Sequence, residues 1–310
     1  MVNMGRLLVS FCNGKRWSGL PSRSACLIAL DVTTLAVSKV LYVDSISPSA
    51  DGVTGICRYE NGIAFNIQGS GPTMIGTADD DLCIQGLFQT CNIRRPHSIK
   101  WHNGYFYVVS SGKDSIFKVR LIPMIGSQEP VVSTSESVYW TFNNLLRTVH
   151  VNSLYRGNEG HFYVTAFGLA EAIKRDKKHP AGFLMDIETN RKIVGGLNSP
   201  HSVFSCADTL LFCESAKGTV RDILGSSIDL SPGYTRGIAA TSDRLYIGIS
   251  DIRDKSISGS DELLGTNSQT PCGAEIRVFD WKNYDLRTAI EIYRVNLRDW
   301  AYEIFDLLLY

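Results

Sequence analysis

The chain has 310 residues, 44% of them hydrophobic and 20% charged, and its 31 basic and 31 acidic side chains leave no formal net charge. That balance lacks the positive field of a nucleic-acid binder or a polybasic membrane-surface protein, and no apolar run approaches the roughly 18 residues that span a bilayer. The opening MVNMGRLLVSFCNGKRW reads as a strand rather than a cleavable leader, so the expected location is cytoplasmic, with neither a nucleic acid nor a membrane as partner.

In chain order, RLLVSFCNG and then ACLIALDVTTLAVSKVLYV read as strands. From Thr54 a unit begins that recurs along the chain: a polar residue, a small residue, an aliphatic residue, a tight turn, and a run of alternating aromatic and β-branched residues. The copies are TGICRYENGIAFNIQGSG from Thr54, PHSIKWHNGYFYVVSSGKDSIFKV from Pro96, NSLYRGNEGHFYVTAFG from Asn152, PHSVFSCADTLLFCESAKGTVRDI from Pro200 and RGIAATSDRLYIGISD from Arg236. Each reads as an antiparallel hairpin, because hydrophobic alternation flanks turns such as Asn103-Gly104. Further strand runs follow most copies, as in GFLMDIETNRKIVGG and AEIRVFDWKNYDLRTAIEIYRV. LAEAIKRDKKHP from Leu169 is the clearest candidate for a short helix or polar loop, and SISGSDELLGTNSQTPCG from Ser256 for an irregular insertion.

The copies start about 35 to 55 residues apart, which suits four-stranded propeller blades. The C-terminal YEIFDLLLY has the pattern of a first strand, and the N-terminal segments supply the rest of that blade. The expected fold is therefore all-β: one six-bladed β-propeller domain over residues 1–310, its ring closed by the N- and C-terminal strands.

The eight cysteines form no CxxC pair, which argues against a disulfide framework or a local metal knuckle. Cys57, Cys206 and Cys213 sit in apolar runs as small hydrophobes. The Gly-Lys of SSGKDS lacks the spacing of a phosphate-binding loop, and neither GxSxG nor HExxH occurs.

Chemistry is expected instead from register, since equivalent residues of the innermost strands of a propeller meet around its axis. Those residues are Thr54, His97, Asn152, His201, Arg236 and Tyr302. His150 stands two residues before Asn152 and competes with it for the same face. His97, His150 and His201 could hold a divalent metal such as Zn, Fe, Mn or Ca, or His97 and His201, with Arg236 and Tyr302, could do acid/base work. Arg236 would orient an anionic small molecule, with Thr54, Asn152 and Glu214 as further substrate contacts. Glu303 and Asp306 lie close enough in the repeat to add carboxylates. The alternative for Arg236 is an ion pair with Asp251 or Asp254. The functional expectation is a lyase, hydrolase or isomerase acting on an anionic polar substrate; the alternative is a non-catalytic propeller that binds a small anionic ligand or a protein.

The segments RPHSIKWHNGYFYVVSSG, VHVNSLYRGNEGHFYVTAFG, NSPHSVF and SPGYTRGIAATSDRLYIGISDIRD, with His150-x-Asn152 and the PGYTRG around Arg236 strongest, resemble a bacterial family of propeller-like proteins known only as a domain of unknown function. The resemblance covers about Thr54 to Asp254; it implies the propeller and brings no reaction. In architecture alone the chain is also similar to propeller enzymes such as sugar lactonases and peptide-amidating lyases.

Overall fold

Period-two alternation decides the secondary structure. Along β5 (Gly62–Gly69), Ile63, Phe65 and Ile67 enter one hydrophobic cluster and Ala64 another, as a strand buried on both faces requires. The computed structural model describes residues 5–12, 25–47, 49–122, 131–142, 149–168, 180–206, 209–251, 273–301 and 303–310. Leu169 to Lys178 of the expected helix, the insertion from Ser256, Asp254, Cys272 and Tyr302 lie outside those residues.

Twenty-four strands form six antiparallel four-stranded blades, the fold of a six-bladed β-propeller. The first blade runs β24 (Ile304–Leu309), β1 (Arg6–Phe11), β2 (Ala25–Asp31) and β3 (Val37–Tyr42). The second holds β4 (Ala50–Tyr59), β5, β6 (Met74–Ala78) and β7 (Ile84–Gln89), and the third β8 (Pro96–His102), β9 (Tyr105–Ser110), β10 (Ser115–Ile122) and β11 (Val131–Thr141). The fourth holds β12 (Val151–Arg156), β13 (Phe162–Ala166), β14 (Gly182–Asp186) and β15 (Arg191–Leu197). The fifth holds β16 (Pro200–Cys206), β17 (Thr209–Glu214), β18 (Thr219–Asp222) and β19 (Ser227–Asp229); the sixth holds β20 (Tyr234–Ala240), β21 (Arg244–Ser250), β22 (Glu275–Lys282) and β23 (Asp285–Asn296).

The chain divides into two compact units, residues 1–143 with 305–310, and residues 144–304. In the first unit the C-terminal strand completes the N-terminal blade as its pattern requires, Arg6 and Tyr310 exchanging backbone hydrogen bonds at 3.2 and 2.8 Å. The turn between β8 and β9 is of the primed type, with φ of 48° at Asn103 and 78° at Gly104, which matches strand twist. One pairing has no counterpart in the sequence pattern. Val131 and Val132 of β11 lie parallel to Leu87 and Phe88 of β7, fusing the second and third blades into an eight-stranded sheet. Glu136 secures this junction by accepting the N–H groups of Cys91 and Asn92 at 2.6 and 2.8 Å. Tyr139 packs edge-on against Tyr107 and Trp140 against Phe142, all in this unit.

Apolar clusters fill the spaces between neighbouring blades within each unit. Cys26, Cys57, Cys206 and Cys213 are buried within them or at their edges. Burial pushes the Cys57 and Cys206 thiols up to about 12, which makes them packing groups rather than nucleophiles.

The innermost strands share a second device. Pairing with the next strand slips between Val53 and Gly55, Pro96 and Ile99, Val151 and Ser153, His201 and Phe204, and Thr235 and Ile238. Every blade start singled out by the repeat thus carries a β-bulge, a feature that re-aims side chains. Thr54, His97, Asn152 and Arg236 fall inside their bulges, whereas His201 stays in register opposite Cys213 and its bulge takes Ser202 and Val203.

Candidate functional site

In the second unit, β16 and β20 bring together His201 and Arg236, which are 4% and 7% exposed. The donors fix the protons. Nη2 of Arg236 can only donate, and it lies 3.0 Å from Nε2 of His201, so Nε2 carries the lone pair. On the other edge of the ring, Nδ1 is 3.0 Å from the Ser199 carbonyl and 2.9 Å from the Ser215 hydroxyl. Ser215 donates its own proton to the Thr235 carbonyl at 2.6 Å, leaving a lone pair to accept Nδ1–H. His201 is thereby held as one tautomer, with its ring locked between two strands and the 3₁₀ turn at Ser215–Lys217.

Nη1 of Arg236 donates to Oε1 of Glu303 at 3.2 Å, the two side chains being 8% and 5% exposed. Glu303 is thus a carboxylate partner of Arg236, the kind of ion pair considered from sequence; Asp251 accepts the N–H of Gly273 at 2.8 Å, and Asp254 lies outside the described residues. The guanidinium lies 5.3 Å from the Tyr234 ring centre. Tyr234 and Phe167 each present an edge contact to the His201 ring, at 5.5 and 5.0 Å.

His150 and Asn152 part company. At His150 φ is +53°, and its half-buried ring stacks on Phe167 at 4.6 Å and 14°. Asn152 is buried, its Oδ1 accepting the Thr165 hydroxyl at 2.6 Å and that of Ser153 at 3.2 Å. Glu214, fully buried, takes the Asn198 N–H at 3.0 Å, Lys217 at 2.6 Å and Arg221 at 2.9 Å; it braces its own blade and is not among the groups around His201.

Thr54, His97 and Asp306 belong to the first unit. The half-buried His97 ring is tilted against Phe305 at 5.8 Å. Oδ2 of Asp306 accepts the Ile56 N–H at 3.3 Å and Oδ1 its neighbour Leu307's at 3.0 Å. Burial pushes the Asp306 carboxyl above its ordinary range, opposed by the nearby Lys100 ammonium and these two N–H groups. Thr54 is 2% exposed and its hydroxyl has no hydrogen-bond partner among the described residues.

Among the described residues no three His, Cys, Asp or Glu side chains are grouped to hold a metal ion. His97 belongs to the first unit and His150 and His201 to the second, and Nε2 of His201 faces Nη2 of Arg236. Glu303 is the carboxylate that the repeat already offers; Ser215, Tyr234 and Phe167 complete the site without a signal of their own, although Glu214, immediately before Ser215 in the Pro200 copy, is one of the residues the sequence singles out.

Among the described residues no helix is long and apolar enough to cross a membrane. Among curated proteins no relative matches the sequence. The solved structures it is similar to include a nidogen/laminin complex, at 12% identity and a TM-score of 0.59 with 97% of both chains covered. A protein of unknown function from Bacteroides caccae aligns at 9% identity and 0.55, with 98% of both covered. A putative 6-phosphogluconolactonase from Bacteroides fragilis aligns at 11% and 0.51, with 99% of this chain and 98% of that one covered. At such identities the likeness is one of fold, and one of these three neighbours carries the name of a hydrolase. The family described as a domain of unknown function (DUF4915) matches residues 146–309, which hold His150, Asn152, His201, Arg236 and Glu303, and the chain belongs to that family.

Proposed function

We propose that the protein is a hydrolase of small anionic molecules, with His201 as the proton-handling group and Arg236 as the group that meets the substrate's negative charge. The carrying observation is the fixed tautomer of His201: Nδ1–H is held by Ser199 and Ser215 while Nε2 offers its lone pair beside a buried guanidinium. That is the logic of a general base oriented from behind. A phosphorylated sugar lactone, the substrate class in the name of the Bacteroides fragilis neighbour, has the needed charge. Its phosphate would draw Nη2 of Arg236 away from Nε2. Nε2 then takes a proton from water as the oxygen bonds to the lactone carbonyl carbon, the ring C–O bond breaks, and the departing alkoxide recovers that proton. The new carboxylic acid ionises to solvent.

A second reading is favoured by Glu303. Because Arg236 is already paired, the same residues suit recognition of an anion without turnover. Proton release at neutral pH from 6-phosphogluconolactone, measured above the spontaneous rate, separates the two. Turnover that falls about 10²- to 10⁴-fold in His201→Gln, with the fold retained, is the expected result. Product binding without turnover by the wild-type protein selects the second reading, and the absence of both overturns the proposal.

A further inference from the structure

The fourth blade shows how a bulge on an innermost strand can close its own polar groups. Asn152 and Ser153 of β12 and Thr165 of β13 are all buried. Oδ1 of Asn152 accepts from both hydroxyls, and the Ser153 and Thr165 hydroxyls also meet. The second blade has the same backbone with different side chains. Thr54 occupies the place of Asn152, Gly55 that of Ser153, and Asn66 stands opposite Gly55 as Thr165 stands opposite Ser153.

Here the triad does not close. The Thr54 hydroxyl, both amide atoms of Asn66 and Oε1 of Gln68 are buried with no hydrogen-bond partner among the described residues. Thr54 is 2% exposed and Asn66 wholly buried. Asn66 and Gln68 are two apart on β5 and so share a face. It is the face of Ala64, which packs with Ile99, Phe106 and Val108 of the third blade, while Ile63, Phe65 and Ile67 point the other way. A hydroxyl cannot be supplied from position 55, because a Cβ there would meet the His97 carbonyl oxygen at 2.6 Å and Ser98 Cα at 2.9 Å. Native interiors hold few unmet polar atoms, and these ask for a group from outside the chain.

We propose that this place between the second and third blades is a solvent site, where one or two buried water molecules bridge Thr54, Asn66 and Gln68. The chemistry selects water over a cation. A sodium or potassium ion would satisfy Oδ1, Oε1 and the hydroxyl oxygen but would face the N–H groups of the same Asn66 amide. Asn66 needs a partner that both donates and accepts, which water does, with two to four polar neighbours per molecule. In the fourth blade a serine hydroxyl performs this task; in the second, where the third blade approaches too closely for a side chain, a solvent molecule does.

A crystal structure of the full chain at about 1.5 Å, grown with rubidium chloride as the only alkali salt, tests this. The expected result is density within about 2.7–3.2 Å of the Asn66 amide and the Thr54 hydroxyl, without a rubidium anomalous peak. An anomalous peak there, or an Asn66 amide bonded directly to protein atoms with no density between, overturns the proposal. Asn66→Leu should lose that density; its persistence on other partners would equally overturn the role given to Asn66. Should Asn66→Leu not fold, the wild-type map decides alone.

Discussion

Replacing Glu303 with Ala leaves the Arg236 guanidinium buried without its carboxylate. The two side chains are 8% and 5% exposed, so the pair belongs to the buried class, where removing one partner costs about 3–5 kcal/mol, and not to the surface class worth up to about 1 kcal/mol. Contacts to Arg236 remain, among them the hydrogen bond to Nε2 of His201 at 3.0 Å and the Tyr234 ring at 5.3 Å, which places the expected loss near the lower end, about 3 kcal/mol. Glu303→Gln keeps an acceptor and loses the charge, and should cost less. The double variant Arg236→Met with Glu303→Leu removes both charges and should lie far from the sum of the single losses, near or above wild-type stability. Urea unfolding followed together by circular dichroism and tryptophan fluorescence gives these values, provided the two transitions coincide. A Glu303→Ala loss below about 1 kcal/mol, or a double variant that equals the sum of the singles, would refute the reasoning.

His161 and Asp186, 2.9 Å apart, give a pH dependence with a defined sign. The hydrogen bond that His161 donates to Asp186 raises the folded-state value of His161, so its contribution is complete below the unfolded histidine value and disappears as pH rises through the raised one. Melting temperatures between pH 5.5 and 8.5 should show that decline in the wild type and lack it in His161→Gln. Burial pushes the Asp186 carboxyl up, but hydrogen bonds from the Thr189 hydroxyl, His161 and the N–H groups of Thr189 and Glu188 hold it below its ordinary value; its contribution is present above the unfolded aspartate value and lost as pH falls through the lowered one. Gly55→Ala, whose Cβ would sit 2.6 Å from the His97 carbonyl, should destabilise by about 1–3 kcal/mol, read as a shifted urea midpoint at constant slope. Thiol labelling of the native protein should modify the exposed Cys83 and Cys91 quickly and Cys26, Cys57, Cys206 and Cys213 only after unfolding; early labelling of Cys57 would contradict its packing.

The blades were legible because their determinants are local. Alternation in YFYVVS and the Asn103-Gly104 turn carry the hairpin on their own, and the apolar run of YEIFDLLLY had to pair with something. The contact of Val131 with Leu87 was not legible, since it is a two-residue parallel pairing that depends on where two outer strands end. Register singles out Thr54, His97, Asn152, His201 and Arg236, yet does not tell what their side chains meet. Alternation presumes regular extended backbone, and a bulge lies at or just after each of these positions while His150 has a left-handed φ. That is why His150 and Asn152 looked interchangeable and are not. For Arg236 the sequence leaves open an anionic ligand or a carboxylate partner and places Glu303 near it in the repeat; that the two pair across 67 residues is a tertiary fact.

The parallel junction between β7 and β11 also bears on how the first unit comes apart. Elsewhere among the described residues each strand ladder lies within a single blade, so an outer strand can in principle loosen without breaking the ladder of a neighbouring blade. The second and third blades lack that independence, because their outer strands guard one another. Fraying of either must first break the Leu87–Val131 and Phe88–Val132 pairs and release Glu136 from Cys91 and Asn92. These eight strands therefore form one cooperative opening unit in which amide protons of both blades exchange with solvent through a shared event.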